Sequence, residues 1–505
     1  MTQEWRNVGA REGRYTSGNF LSGHAAMPCR SLPGAVFSRR PYRCLLLAAL
    51  VPAVGAHAFT GPDPFSTEAM TPPPARLNLP ERPDFVPCQP PAANTVYDVI
   101  EVVDLALCRN PKTRQAWATA RVQAAQVGSA LGDYLPNLDG KAVSNRVQID
   151  GDRRGTMRQE NAALTLSWLL YDFGARSANL ENARQLLAAA SHSLDATVQS
   201  VFLAALQSYY NAQATRAAVS AAIESEKASR ESLTAAETRY RVGTATPADR
   251  LQAQTAWSQA TLARIRAEGA HQTALGTLAN VIGLDAGQPL RLAETAPPRL
   301  DPGFERNIEA LIEQARARRP DLKAAEAQYQ AARANIDAVR ADGLPKLSLG
   351  AGPTWQNLDG THTHGNSVGL TLTLPIFSGF ATTYAVRKAE AQAEAVSAQR
   401  EDLRLQVALD VWTAYQNLTT ATQTVRTTAD LLASAEQSER VALGRYKAGV
   451  GNILDVLNAQ SALASARLQR IQSLLDWHVS RATLARAVGA LDNRLLLPPG
   501  ERPAP

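Results

Sequence analysis

The stretch Arg445–Gln460, RYKAGVGNILDVLNAQ, is matched half a chain earlier by Arg239–Gln254, RYRVGTATPADRLQAQ. Both read R-Y-x-x-G-x(5)-D-x-L-x-A-Q. Each carries a glycine that ends one apolar-periodic run and a polar residue that starts the next. Gly243 suits the left-handed C-cap conformation, Thr246 the N-cap, and Pro247 the first helical position. In the second copy Gly449 closes the helix, Asn452 caps its successor, and Asp455 stands where Asp249 does, three residues past the cap. A carboxylate there can receive orphan backbone N–H groups and complement the helix dipole. The spacing predicts two helix–turn–helix tips, at 243–249 and 449–455.

The runs that reach these tips are long. No proline interrupts Gly174 to about Val242, or Gly379 to about Ala448. At about 1.5 Å per residue each would extend on the order of 100 Å. Leu180, Leu187, Leu194 and Val201 recur with period seven, as do Val411, Leu418, Val425 and Leu432. That period predicts supercoiled partner helices. Upstream, each half opens with a helical run broken by proline, at Asn110-Pro111 and Arg319-Pro320, and ended at Leu135-Pro136 and Leu344-Pro345.

After each Leu-Pro the period switches to two. Ala162, Leu164, Leu166, Trp168 and Leu170 fall on one face, as do Val368, Leu370, Leu372, Leu374 and Ile376. Two β-hairpins are expected, at about 138–172 and 346–378, with strands of roughly 10 residues joined by polar loops. Trp168, Tyr171, Phe173 and Phe377 gather at one end, as in an interfacial aromatic girdle. Strands of roughly 9–11 residues cross a bilayer, and the opposite face carries Ser, Thr and Gly. Four strands cannot close a barrel, and lipid does not tolerate open edges, so closure demands several chains. Three copies would supply twelve strands. The expected fold is mainly α with a transmembrane β-barrel portion, built from a tandem-duplicated subunit.

Composition agrees. The 505-residue chain is 45% hydrophobic and 6% aromatic, with alanine carrying much of the apolar count, which favours long, closely packed helices. Its formal charge is +6. Arginine crowds Arg6–Arg43, however, ahead of the working protein, so no nucleic-acid partner is inferred. RRPYR (Arg39–Arg43), the apolar run CLLLAALVPAVGA and the small-x-small site Ala56-His57-Ala58 read as a signal peptide cut between Ala58 and Phe59. Residues 1–58 then form the leader, and a start at Met27 would give it more ordinary length. Residues 59–94 are proline-rich and read as an extended or disordered segment. Repeats follow at 95–300 and 301–491, then a tail at 492–505. No lipid-attachment pattern fits Cys44 or Cys88. Cys88 and Cys108 remain after cleavage, either bridged or as free thiols.

No enzyme constellation is present: HExxH, GxSxG, a P-loop, CxxC and the dinucleotide glycine pattern are all missing. His362, His364 and Asp359 read as surface-loop residues rather than a metal cluster, and Arg153-Arg154 as solvated. Neither catalysis nor a cofactor is expected.

The two hairpins, paired long helices, Leu-Pro breaks and doubled tip motif resemble the TolC-like outer-membrane channel-tunnel (outer membrane efflux protein) family, from roughly Val96 to Leu491. The resemblance implies a homotrimer with a twelve-stranded barrel in outer-membrane lipid and a helical tunnel in the periplasm of a Gram-negative bacterium. Tips at Gly243, Thr246, Gly449 and Asn452 would close the entrance and meet the periplasmic adaptor (membrane fusion) protein of an inner-membrane pump. Asp455 matches an acidic residue ringing that entrance, whereas Asn458 stands where one relative has a second acid. Asp249 and Tyr446 match residues that bond between neighbouring coils. Gly451 replaces a basic partner of theirs, so a looser latch is expected. The missing lipid-attachment cysteine favours type I secretion of a protein or toxin, with an ABC transporter rather than a proton-driven pump. The pattern is also similar to outer-membrane components of adenylate cyclase–haemolysin type toxin exporters. Drug or small-molecule efflux is the alternative, and a soluble periplasmic coiled-coil scaffold the second.

Overall fold

The structure, a computed structural model, describes residues 63–77, 86–89, 96–149, 155–293 and 307–491. Met27, the cleavage site at Ala58 and Phe59, Arg153, Arg154 and the tail 492–505 lie outside them.

One order of elements is written twice. The first half holds β1 (Val96–Tyr97), α1 (Val99–Arg109), α2 (Pro111–Gly132), β2 (Asn137–Ile149), β3 (Gly155–Tyr171), α3 (Ala175–Arg241) and α4 (Pro247–Val281). The second holds β4 (Arg291–Leu292), α5 (Ile308–Arg318), α6 (Pro320–Asp342), β5 (Lys346–Leu358), β6 (Thr361–Thr373), α7 (Ala381–Lys447) and α8 (Ile453–Ala487). Both long helices have 67 residues and both return helices 35. The prolines act as expected: Pro111 and Pro320 each start a helix where a missing N–H costs nothing. Parallel pairing of β1 with β4 joins the halves.

A core surrounds that junction. Ile100, Val103 and Leu107 of α1 pack with Val201, Phe202 and Leu206 of α3 and Leu278 of α4. Its counterpart sets Leu311 of α5 against Val407, Val411 and Leu418 of α7 and Trp477 of α8. The heptad residues Leu180, Leu194, Val201, Val411, Leu418 and Val425 are buried, and Leu187 and Leu432 are half-buried against the same seams.

The described part of the proline-rich segment belongs to the fold. A 3₁₀ turn, Thr67–Met70, is followed by chain lying on α2, where Trp117 Nε1 donates to the Pro72 carbonyl at 3.1 Å. Leu77 is 1% exposed within the first core. The cysteines are resolved as a disulfide, Cys88–Cys108.

Four strands form one antiparallel sheet in the order β2-β3-β5-β6. They are longer than expected, 13, 17, 13 and 13 residues, because the polar segments taken as loops continue the ladder. The second loop shrinks to Asp359-Gly360, whose φ values of 49° and 88° fit a two-residue hairpin turn. His362 and His364 therefore lie on β6, correcting their assignment to a loop. At the other end β6 stops at Thr373, since Pro375 has no N–H to give to a ladder. Leu374 and Ile376 thus leave the strand, although both remain exposed beside Phe377.

Candidate functional site

Register sorts the sheet into two chemically distinct faces. Trp168 pairs with Leu349 and Leu349 with Leu370; Leu166 pairs with Ala351 and Ala351 with Val368. These rows, with Leu138 opposite Leu166, form an apolar face that the single chain leaves bare, Val368 being 79% exposed. The alternate residues of β6 are Thr363, Gly365, Ser367, Gly369, Thr371 and Thr373, a polar face of small side chains. The outer strands β2 and β6 each have one unpaired edge.

Aromatic side chains gather where the sheet meets the helices. Tyr171 and Phe173 pack edge-to-face at 4.8 Å between centroids, as do Phe377 and Phe380 at 5.5 Å. Arg176 fixes this junction. Its Nε donates to Asp172 Oδ2 at 3.0 Å, its Nη1 to the Leu169 carbonyl at 2.7 Å, and its guanidinium lies 4.9 Å from the Tyr134 ring centroid.

The far ends of α3–α4 and α7–α8 carry the repeated motif. Helices begin at Pro247 and Ile453, so the last residues of the expected turns 243–249 and 449–455 form a first helical turn. Gly243 and Gly449 adopt φ of 78° and 83°. Thr246 Oγ1 accepts from Asp249 N–H at 3.2 Å while Asp249 Oδ2 accepts from Thr246 N–H at 2.9 Å, a reciprocal cap. The second tip is built otherwise. Asn452 Oδ1 accepts from Leu454 N–H at 3.3 Å, and exposed Asp455 makes no side-chain hydrogen bond or ion pair among the described residues. Asn458, one turn on, is exposed as well.

Tyr446 is 4% exposed, packed with Ile453 and Val456. No hydrogen bond joins it to Asp249; its hydroxyl is buried without a partner among the described residues. What reaches Tyr446 from the other coil is Arg239, whose guanidinium lies 4.3 Å from the ring centroid. Arg239 is the first residue of the repeated motif, and nothing local in the sequence marks this contact. Gly451 has a steric cause: a Cβ there would come within 2.9 Å of Tyr446 N and 3.0 Å of the Arg445 carbonyl carbon.

Behind the tips the coils are stapled. Arg264 bridges Glu226 at 2.6 Å and Glu268 at 2.7 Å within the first coil. The Thr261 hydroxyl, then the Arg264 guanidinium, hold the Glu226 carboxyl below its usual value. Buried Thr428 and Ser473 hydroxyls meet at 2.8 Å in the second. Between coils, Gln460 Nε2 donates to Ser232 Oγ at 3.0 Å and Arg467 pairs with Glu224 at 3.0 Å. His478 is a half-buried ring stacked on Tyr210, its pKa lowered to about 4 by burial and then by Arg481. Among the described residues one cluster has metal-ligand chemistry, Cys88, Asp104 and Cys108, and its two thiols are joined.

A bare apolar sheet ending in an aromatic girdle, continued by paired helices about 100 Å long, defines an outer-membrane channel subunit and sets aside the soluble scaffold. The chain belongs to the outer membrane efflux protein family, whose pattern matches residues 102–284 and 311–490. It is 33% identical over 420 residues to protein CyaE of Bordetella pertussis, an alignment covering 80% of this chain and 87% of that one. Alkaline protease secretion protein AprF of Pseudomonas aeruginosa is 25% identical over 340 residues, or 66% and 70% of the two chains. Among solved structures, that of CusC, studied for folding and transmembrane channel formation, matches with a TM-score of 0.70 at 22% identity, over 83% of this chain and 97% of that one.

Proposed function

We propose that three copies of this chain close a barrel of twelve strands and a helical tunnel that together export a protein cargo. The observation that carries this reading is the pair of unpaired edges, β2 and β6, on a sheet with one apolar face. In lipid each bare N–H or C=O costs several kcal/mol, so β6 of one copy must pair with β2 of the next. Along α7, Leu405, Leu409 and Trp412 recur on one exposed stripe, as expected of a surface covered by a neighbouring copy.

Six tips then ring the tunnel entrance. Asp455 supplies its unpaired carboxylates, Tyr446 and Arg239 the contact between coils, and Gly243, Thr246, Gly449 and Asn452 the surface offered to an adaptor protein. The channel holds no energy source of its own; we assign that to an ABC-type pump in the inner membrane. Protein cargo is supported by the secretion named for AprF. It is also supported by Cys88 and Cys108, which are bonded to each other rather than free for lipid attachment. The test is deletion of the gene, with the secreted proteome and drug susceptibility measured side by side. Loss of one or a few secreted proteins at unchanged susceptibility is expected. Sensitisation to small molecules with an unchanged secretome would overturn the cargo assignment in favour of efflux.

A further inference from the structure

Asp104 is out of place by composition. It sits among the buried residues Val102, Val103, Leu105, Ala106 and Leu107 of α1 and is 4% exposed. Its carboxyl is held by the proline-rich strap: Cys88 N–H donates to Oδ2 at 2.6 Å, and Leu77 N–H donates as well. One helical turn on, Cys108 Sγ lies 3.8 Å from Asp104 Oδ1 and is bonded to Cys88. The two sulfurs are not equivalent. Cys88 is exposed, at a left-handed φ of 66° that disfavours a residue with a Cβ, whereas Cys108 is half-buried beside the acid.

We propose that Cys88–Cys108 is a thiol–disulfide exchange site, filled by a protein disulfide oxidant of the periplasm. In it Cys88 exchanges, Cys108 resolves and Asp104 accepts the proton, and closure fastens the strap to α1. The inference depends on export to the periplasm and not on the cargo or the gate. In the first step the Cys88 thiolate attacks the oxidant's disulfide; a bond forms between them and one oxidant sulfur leaves as a thiol after taking a proton from water. Asp104 then removes the Cys108 proton. The Cys108 thiolate attacks Cys88 Sγ and expels the second oxidant sulfur, which leaves as a thiol after taking the proton held by Asp104. The chain's two thiols lose two electrons and two protons, and the oxidant's disulfide becomes a dithiol. Burial raises the Asp104 pKa, which suits a group that must hold a proton between the steps.

The test uses reduced, detergent-solubilised full-length protein with glutathione disulfide as the oxidant, followed by intact mass. Cys108→Ser should take up one glutathione at Cys88, and Cys88→Ser should react about tenfold more slowly at Cys108, the thiol that is shielded and beside an acid. With both cysteines present, Asp104→Asn should leave the first step unchanged and slow ring closure about tenfold, flattening its pH profile. Asp104→Glu keeps the proton acceptor and should restore part of the closure rate. A role for Asp104 limited to holding the strap would leave that pH profile unmoved. Equal labelling of the two single-cysteine variants, or closure in Asp104→Asn at the unsubstituted rate and pH profile, overturns the assignment.

Discussion

The guanidinium of Arg239 lies 4.3 Å from the ring centroid of Tyr446, so the first repeat's R-Y pair reaches across to the second repeat's. Two features make this contact matter. Tyr446 is buried with its hydroxyl unpartnered among the described residues, and Gly451 leaves no side chain to tie the coils together. Arg239 is half-buried, so the cation–π contact is worth about 1 kcal/mol. Arg239→Ala should therefore loosen the tips and raise single-channel open probability in planar bilayers, with Arg239→Lys in between. Identical conductance records for Arg239→Ala and the unsubstituted protein would show that the contact does not hold the entrance.

Asp249 and Asp455 occupy equivalent positions and should fail differently when replaced. Asp249 is engaged in the cap with Thr246. Asp249→Ala should cost about 1 kcal/mol and lower the thermal midpoint, with little change in ion selectivity. Asp455 faces solvent without a partner, so Asp455→Ala should leave stability nearly unchanged and reduce cation selectivity. A selectivity ratio unaffected by Asp455→Ala would remove that residue from the entrance ring.

Much of this architecture was legible because proline, glycine and apolar period all pointed the same way. Pro111, Pro320, Gly243 and Gly449 set helix ends through their own backbone chemistry, and the seven-residue period located the seams. The strand ends were less legible. Polar residues such as Thr156 and Thr361 extend the ladder because the ladder bonds backbone groups, whatever the side chain. Arg239 escaped notice because a contact between repeats leaves no local pattern. The lack of a basic residue at Gly451 was the one hint that the cation had to come from elsewhere. Asp104 was hidden for the opposite reason: its partners are backbone N–H groups of an irregular segment.

Gly451 is fixed by close approach rather than by φ. Restoring a basic latch by Gly451→Lys should fail, because the new Cβ would press on the backbone at Tyr446 and Arg445, which cannot yield as a side-chain end would. The expected cost is roughly 1–3 kcal/mol, read as a lower thermal midpoint, with Gly451→Ala nearly as damaging. A Gly451→Ala protein as stable as the unsubstituted one would mean that the turn relaxes freely.

The break between α5 and α6 is held by charge. Buried Arg319 meets Asp321 at 2.5 Å and Asp410 at 2.8 Å. Burial alone would raise the Asp321 carboxyl, but the hydrogen bonds and charge of Arg319 outweigh it and hold the pKa below the usual carboxylate value. A depressed carboxylate contributes stability that is present above its unfolded pKa and lost as pH falls through the folded one. The thermal midpoint should therefore drop below about pH 4, and Arg319→Ala should flatten that dependence. The same variant should cost about 2 kcal/mol at neutral pH, less than for a fully buried network because both carboxylates are part-exposed. A pH profile unchanged by Arg319→Ala would place the acid sensitivity elsewhere.

Adjacent residues of β6 give the sharpest test of the membrane assignment. Leu370 shares a row with Leu349 and Trp168, whereas Thr371 pairs with Ser348 on the opposite face. If the apolar face meets lipid, Leu370→Arg places a cation on that face in the row of the girdle residue Trp168, at a cost in each copy between the about 2–4 kcal/mol of the midplane and the about 0–1 kcal/mol of the interface. Thr371→Arg places the same cation in water inside the barrel, where it should be tolerated and shift selectivity toward anions. The measurement is the amount of protein recovered from outer membranes as a gel-stable oligomer, followed by bilayer recordings of whatever assembles. Leu370→Arg should be depleted and Thr371→Arg should assemble normally. The reverse pattern would mean that the two faces have been exchanged, and equal recovery that neither residue contacts the hydrocarbon.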